Sequence, residues 1–241
     1  MRVNFHPGFI LHRRPYRETS LLLDVFSRDH GRIGLIAKGA KRKHSRVAGL
    51  LQPFQRLQIA WSGKGELMTL TGVDSDTTAY QLNSRKLIAG FYINELIIRM
   101  LHQHEAHPDL FSAYDTTLNA LTIVDRDEQE ALRIFEKSLL KSIGYGLVLD
   151  HDVQSGCVIE AGCEYYYQIE QGPTRNTPST SDYVQISGET LSAINKECLD
   201  TKKSLREAKQ LMRYMLQRYL GTKPLASKKL YQSYMTNLSE L

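Results

Sequence analysis

The sequence is poor in the residues by which metal and cofactor sites are usually recognised. It has only three cysteines in 241 residues, Cys157, Cys163 and Cys198. The odd number and the lack of a recognisable secretory signal favour free thiols in a reducing cytoplasm. Three cysteines cannot form a four-cysteine zinc site, and a site completed by a histidine such as His151 is the less favoured alternative. We therefore expect neither a metal nor another cofactor.

Long hydrophobic runs are scarce as well. The longest apolar region, residues 87–101, is interrupted by Asn94, Glu95 and Arg99, so it predicts a buried helix and not a membrane span. The polar opening MRVNFHPGF, broken by Pro7, does not resemble a signal peptide. These features predict a cytoplasmic protein.

Catalytic signatures are also lacking. The sequence has no GxxxxGK[ST] phosphate loop, no GxGxxG after a strand and no GxSxG motif. In residues 102–107, His104 and His107 are three positions apart, whereas the zinc motif HExxH places its histidines four apart, so a solvated helix terminus is expected. We expect a protein that is not an enzyme. A nuclease or other DNA-processing enzyme is the alternative, since catalytic carboxylates often come from distant parts of a chain.

Charge is unevenly distributed along the chain. Residues 1–80 carry 13 Lys or Arg against 6 Asp or Glu, residues 81–182 carry 8 against 15, and residues 183–241 carry 10 against 5. Two basic ends therefore flank an acidic middle. This pattern indicates at least two functional surfaces.

The densest basic cluster lies in the segment RIGLIAKGAKRKHSRVAGLLQPF, residues 32–54, which contains no acidic residue. The cations of its loop are Lys38, Lys41, Arg42, Lys43 and Arg46. Their mutual repulsion disfavours collapse of the loop on itself, and Lys and Arg at this density can replace the counterions of nucleic-acid phosphates. The segment predicts a DNA- or RNA-binding loop. A solvated basic loop or a partner-binding arm is the alternative.

Hydrophobic periodicity predicts an α+β protein. In residues 1–80, five short strand-like segments with a long insertion between the third and fourth predict a five-stranded OB-fold barrel, with an SH3-like barrel as the alternative. From residue 81 the apolar period lengthens to that of a helix, which predicts a mainly α-helical domain over residues 81–241. Regularity fails in an insertion at about residues 150–186. Ser204 and Glu207 are expected to form the capping box of a late helix.

Six blocks of the sequence together resemble one known family. They are GFILHRRPYRETSLLLDVF, GRIGLIAKGAKRK, LLQPF, GFYINELIIRML, ALRIFEKSLLKSIGYG and GTKPLASKKLYQSYM. The chain closely resembles the bacterial recombination and repair mediator family RecO from Gly8 to about Met235. The resemblance is weakest over residues 150–186, where some members carry a zinc ribbon with paired CxxC motifs. This sequence departs from that pattern, so zinc is not transferred to it.

The resemblance implies an N-terminal OB-fold, a helical C-terminal domain and no catalytic turnover. Family members bind single- and double-stranded DNA, anneal complementary strands and bind the acidic tail of the single-stranded DNA-binding protein SSB. With RecR they help RecA displace SSB in the RecF pathway, in the bacterial cytoplasm at the nucleoid. An RNA-binding or ribosome-associated OB-fold protein is the alternative, since phosphate contacts carry no sequence information.

The expected DNA site combines the basic loop with neighbouring residues of the barrel. Arg13, Arg14, Arg17 and Arg32 are expected on or near the same barrel, and Tyr16 is available for base stacking, although simple packing is the favoured role for that ring.

The SSB tail implied by the resemblance needs an apolar pocket rimmed by cations. On the third predicted helix, Arg133, Lys137 and Lys141 recur at four-residue spacing beside the apolar Leu132, and Arg99 on a neighbouring helix is a weaker candidate for the rim. Alternatively, the stripe only supplies partners for Glu130 and Glu136.

Overall fold

The computed structural model describes residues 2–45, 47–77, 79–125 and 127–239. The chain divides into two compact units. Unit 1 comprises Met1–Arg126 and Pro224–Leu241, and unit 2 comprises Asp127–Lys223. Each unit is described separately below.

Unit 1 is built on a closed five-stranded barrel. Its strands are β1 (Arg2–Tyr16), β2 (Ser20–Ser27), β3 (Gly31–Ala37), β4 (Arg56–Ser62) and β5 (Leu67–Ser75). They are ordered β1-β2-β3-β5-β4 around the barrel, with β3 and β5 parallel and the other pairs antiparallel. This arrangement confirms the predicted OB-fold and differs from that of an SH3-like barrel.

The barrel core follows from alternation along the strands. On β3, Ile33, Leu35 and Ala37 are buried while the residues between them are half-buried, the period-two pattern of a strand with one face in the core. Trp61, the only tryptophan, is 1% exposed in the same core. Strand β1 is 15 residues long and pairs with β4 as well as with β2. A register shift between Ile10 and His12 marks an irregularity that bends the strand around the barrel.

Outside the barrel, the described residues form six helices and a small sheet. The elements are α1 (Ser84–Met100), α2 (Pro108–Thr122), α3 (Glu128–Ser142), β6 (Glu164–Gln168), β7 (Gly172–Thr174), β8 (Val184–Ser187), α4 (Gly188–Lys196), α5 (Lys202–Leu220) and α6 (Ala226–Ser239). Within the described ranges, no helix is both long and apolar enough to cross a bilayer.

Helices α1 and α2 pack on the barrel within unit 1. The buried Asn94 side chain donates from Nδ2 to the Leu11 carbonyl at 2.8 Å, and the Tyr114 hydroxyl donates to Asn94 Oδ1 at 2.6 Å. Arg56 on β4 forms an ion pair with Asp115 on α2 at 2.9 Å. These contacts join β1, β4 and both helices into one body.

The final helix returns to the same unit. The Glu95 carboxylate accepts hydrogen bonds from the backbone N–H groups of Ala226 and Ser227 at 2.8 and 2.9 Å, so α1 caps the start of α6. Burial of the carboxylate opposes its ionisation, but these N–H donors, the Ser227 hydroxyl and the charge of Arg99 together hold the pKa of Glu95 below its usual value.

Unit 2 contains α3, α4, α5 and a three-stranded sheet of order β7-β6-β8. The predicted capping box at Ser204 and Glu207 is wrong. Thr201 is the N-cap of α5 and forms the box with Ser204. Glu207 is buried and instead accepts hydrogen bonds from the Ser187 and Thr190 hydroxyls at 2.7 and 2.6 Å, because it lies against the start of α4.

Replacing Asn94 with alanine should lower the free energy of unfolding of unit 1 by about 2–4 kcal/mol, because the Leu11 carbonyl and the Tyr114 hydroxyl each lose a hydrogen bond in a buried site. Urea titration followed by Trp61 fluorescence measures the barrel directly. Ser112→Ala, which removes an exposed hydroxyl bonded only within its own helix at 3.1 Å, is the control and should change stability by less than about 0.5 kcal/mol. A wild-type midpoint for Asn94→Ala would contradict the assignment.

Candidate nucleic-acid interface

The connection from β3 to β4 closes one end of the barrel. Ala40 and Leu51 in this connection are 1% and 0% exposed and belong to the barrel core. The Arg13 guanidinium donates to the Leu51 carbonyl at 3.2 Å, and the Lys41 N–H donates to the Thr19 carbonyl in the β1–β2 turn at 2.9 Å. The structure therefore brings the basic loop and the β1–β2 turn to the same end of the barrel.

The backbone of the basic loop is folded into turns. Arg42 N–H donates to the Gly39 carbonyl at 3.1 Å and Ser45 N–H donates to the Arg42 carbonyl at 3.0 Å. Gly39 has φ +70°, a left-handed conformation that glycine adopts without strain. Despite its repelling charges, the loop is thus held on the barrel by its backbone and by Ala40.

The cations of the loop that the structure describes are accessible to solvent. Lys38, Lys41, Arg42 and Lys43 are exposed, and Arg46 lies outside the described residues. Their exposure leaves the charged ends accessible to a polyanion.

The outer face of the barrel adds an apolar strip next to a cation. Arg14 pairs with Leu22, Leu22 with Ile36, and Ile36 with Thr69, so these four residues form one row across β1, β2, β3 and β5. Their neighbours in sequence on β2 and β3 are in the core, which directs this row outward. Arg14 is exposed, and Leu22 and Ile36 are half-buried. Sequence reasoning missed Leu22 and Ile36, because SLLLDVF shows no alternation that would assign Leu22 to the outer face.

Tyr16 and Arg17 lie at the β1–β2 turn. The Arg17 guanidinium carbon is 5.2 Å from the Tyr16 ring centroid, and the ring is half-buried. Arg17 has φ +52°, which turns the chain between β1 and β2. The ring is therefore packed against a cation on one side and is neither fully buried nor fully free.

Arg32 lies apart from the other predicted residues. It is at the start of β3, six residues from Lys38, a separation of about 20 Å along a strand. Its carbonyl accepts from His104 N–H at 3.0 Å, so its neighbour is the connection between α1 and α2. The structure places Arg32 on the barrel but does not bring it to the basic loop.

The basic stripe predicted on α3 is mostly engaged in contacts within unit 2. Arg133 Nη2 is 2.8 Å from Oε1 of Glu136, and their side chains are 7% and 0% exposed. Lys137 Nζ donates to the Ile194 carbonyl at 3.1 Å and to Glu197 at 2.9 Å, where α4 ends. Of the three cations, Lys141 alone is exposed.

The two other residues predicted for the SSB site, Leu132 and Arg99, belong to different units. Leu132 is 7% exposed. Arg99 belongs to α1 in unit 1, where its Nη1 lies 4.0 Å from Glu95. The pairing of Arg133 with Glu136 is the contact expected from the alternative in which the stripe supplies partners for acidic residues.

Comparison with known proteins assigns the chain to a family. The family model described as Recombination protein O N terminal matches residues 1–77, and the one described as Recombination protein O C terminal matches residues 81–229. The chain belongs to the recombination protein O family. Its relatives include proteins named DNA repair protein RecO from Nitrosococcus oceani (43% identical over 232 residues, 96% of this chain and 94% of the relative) and Dechloromonas aromatica (40% over 234 residues, 96% of each). A third, from Methylococcus capsulatus, is 42% identical over 232 residues, covering 96% of this chain and 94% of the relative.

In the segment where the resemblance is weakest, a carboxylate joins two loops. Asp152 is 3% exposed and accepts hydrogen bonds from the N–H groups of Gln154, Ser155 and Arg175 at 2.9, 2.9 and 2.8 Å. Burial opposes its ionisation, but these donors outweigh burial and hold the pKa of Asp152 below its usual value. Asp152 thus holds the chain near residue 155 against the chain after β7.

The three cysteines of this unit are free thiols. Cys157 and Cys198 are exposed, and Cys163 is half-buried with its Sγ 3.6 Å from Glu160. Among the residues that the structure describes, no three His, Cys, Asp or Glu side chains are grouped so that they could hold a metal ion.

Purified protein should contain well under one zinc ion per chain, because the donor set offers no tetrahedral site. Elemental analysis by mass spectrometry measures the zinc, and EDTA should leave the thermal unfolding unchanged. Asp152→Ala is the positive control, a change that does loosen this segment. It should destabilise unit 2 by about 1–3 kcal/mol because three hydrogen bonds to the Asp152 carboxylate are removed. Hydrogen exchange should then accelerate in residues 150–176. A stoichiometric, chelator-resistant zinc whose removal unfolds residues 150–200 would overturn this prediction.

Proposed function

We propose that this protein is a non-enzymatic DNA-binding mediator of recombination and repair. The observation that carries the proposal is the set of exposed loop cations, Lys38, Lys41, Arg42 and Lys43, held at one end of an OB-fold barrel by the buried Ala40 and Leu51. Membership of the recombination protein O family and the name of its relatives, DNA repair protein RecO, support a role in DNA repair.

DNA would be bound mainly through its phosphates. The loop cations supply phosphate contacts, which are independent of sequence, while the outer row with Arg14, Leu22 and Ile36 offers a cation beside apolar surface that bases can contact. Such a surface suits DNA of any sequence.

We further propose the activities that the resemblance implies. The protein would bind single- and double-stranded DNA, anneal complementary strands, and act with RecR to help RecA replace SSB at gaps in the nucleoid. The support for these steps is the family resemblance together with an accessible cationic surface.

Replacing Lys41, Arg42 and Lys43 with alanine should weaken DNA binding at every sequence tested. The salt dependence of the affinity should flatten by about one unit for each phosphate that the variant no longer neutralises, because fewer counterions are released. Fluorescence anisotropy with labelled single-stranded and duplex DNA at several salt concentrations measures both effects.

The control removes three exposed cations outside the barrel, with Lys196→Ala, Lys228→Ala and Lys229→Ala, so that net charge falls equally. An unchanged affinity and salt slope for the loop variant would rule out the loop as the site. Structured RNA bound as tightly as DNA would favour the RNA-binding alternative, and cleavage of labelled DNA with Mg²⁺ would favour a nuclease.

We also propose that unit 2 binds the acidic C-terminal tail of SSB at α3. The resemblance supports the partner. The exposed Lys141 near the end of α3 supports the position, because it offers a cation to the acidic residues of the tail, whereas Leu132 and Arg133 are buried.

Lys141→Ala should weaken binding of an SSB-tail peptide by up to about fivefold, the effect of one exposed ion pair, and should leave DNA binding almost intact. Lys196→Ala on α4 is the matched control for an exposed cation. Arg133→Ala should also weaken the peptide if the tail replaces Glu136 as the partner of Arg133. Because the substitution leaves buried Glu136 without this partner, a circular dichroism melt must accompany the titration. Wild-type peptide affinity for both Lys141→Ala and a folded Arg133→Ala would remove α3 from the site.

A further inference from the structure

The solvent side of α5 carries a row of four cations. Lys202, Arg206, Lys209 and Arg213 are exposed and are spaced by four, three and four residues, which places them within about 60° of one another around the helix axis. The opposite side buries Ala208, Leu211, Met212 and Met215 among other residues. We call these four cations the α5 stripe.

The stripe cations are not used to hold the fold. Within the described part of the chain, none of the four forms an ion pair or a side-chain hydrogen bond. Other cations of unit 2 do: Arg133 pairs with Glu136 at 2.8 Å and Arg175 pairs with Glu160 at 2.7 Å. The stripe therefore differs from the ordinary paired charges of this unit.

The arrangement is unfavourable for an isolated helix. Like charges four residues apart, as in Lys202 and Arg206 or Lys209 and Arg213, repel each other and destabilise the helix. Lys202 is the first residue of α5, so it also lies at the positive end of the helix dipole. The first turn of the helix has no acidic residue to offset this repulsion. The only acidic residue of α5, Glu207, is buried. A bound polyanion would turn this repulsion into attraction.

The chemistry of the stripe fits phosphates and not an acidic peptide. The exposed residues of α5 include no aromatic or aliphatic side chain. Nearby Tyr214 is half-buried and donates its hydroxyl to the Asp182 carbonyl at 3.0 Å. The stripe thus offers neither a base-stacking platform nor an apolar pocket for a peptide anchor. The stripe is about 16 Å long, so its four cations can contact more than one phosphate of the same strand.

We propose that the α5 stripe is a second DNA-binding surface, carried by unit 2 alone, that contacts the phosphate backbone of a second strand. This inference rests on the proposed function, since it gives that function a place for the second strand. Binding there is independent of base sequence. One chain then holds two strands at once, which brings complementary strands together for annealing.

The test compares three full-length variants with the wild type. The stripe variant carries Lys202→Gln, Arg206→Gln, Lys209→Gln and Arg213→Gln. The charge-matched control carries Lys196→Gln, Lys223→Gln, Lys228→Gln and Lys229→Gln, which are all exposed cations outside the stripe. The barrel variant carries Lys41→Ala, Arg42→Ala and Lys43→Ala. Should the stripe variant lose its helical circular dichroism, the double variant Lys209→Gln, Arg213→Gln replaces it.

Two measurements are made on each protein. The first is the number of ten-nucleotide single strands bound per chain, a length within the range that one OB-fold occupies. The second is the annealing rate of two complementary labelled strands, followed by energy transfer. The wild type and the control should bind two strands. The stripe variant should bind one strand with an affinity within about twofold of the wild type's tighter site, and it should anneal at least about tenfold more slowly, because the cations that hold the second strand are removed.

The outcomes separate the inference from the proposed function. Two strands bound and wild-type annealing by the stripe variant would overturn the stripe while leaving DNA binding in place. Loss of binding to an acidic ten-residue peptide, with both strands still bound, would also overturn it and assign the stripe to a protein partner. If the wild type binds no DNA at all, the proposed function itself fails. Retention of one strand by the barrel variant supports two separate surfaces.

Discussion

The need to close the barrel at the end of β3 is the constraint on which the candidate DNA surface depends. An OB-fold leaves this end open unless a connection covers it, and here the connection places Ala40 and Leu51 into the core. Those two anchors, with the Arg13 bond to the Leu51 carbonyl, fix the path of the chain between them. Lys41, Arg42 and Lys43 on that path consequently remain at the surface. Apolar burial and charge exposure are therefore two results of the same short connection.

A second buried contact decides how much of the chain forms one body with the barrel. Asn94 is 2% exposed and could not be buried without satisfied hydrogen bonds, which the Leu11 carbonyl and the Tyr114 hydroxyl provide. The contact couples a strand to two helices that the hydrophobic pattern assigns to a different domain. Periodicity identifies the elements, but it carries no information about which of them share a buried polar group.

The same distinction separates what the sequence predicts from what it cannot. The OB-fold could be predicted because strand patterns and the long third connection depend on local sequence. The start of α2 could be predicted for the same reason, since Pro108 suits a first helical position. The fate of Glu207 could not, because its partners Ser187 and Thr190 lie 20 and 17 residues earlier and only the fold brings them together. Likewise, the spacing of Arg133 and Lys137 indicates a shared helix face but not that each is already paired.

Local charge balance explains why similar cations have different fates in this chain. The acidic middle, with 15 Asp or Glu against 8 Lys or Arg in residues 81–182, supplies partners such as Glu136 and Glu160 for its arginines. In the basic ends acidic partners are scarce, and Lys38, Lys41, Arg42 and Lys43 of the β3–β4 loop and the four cations of the α5 stripe stay exposed. Exposed unpaired cations contribute little to folding, since even paired surface charges contribute about 0–1 kcal/mol. Their energetic effect would therefore arise mainly with a polyanion, which is the physical basis for proposing that these two basic segments are binding surfaces.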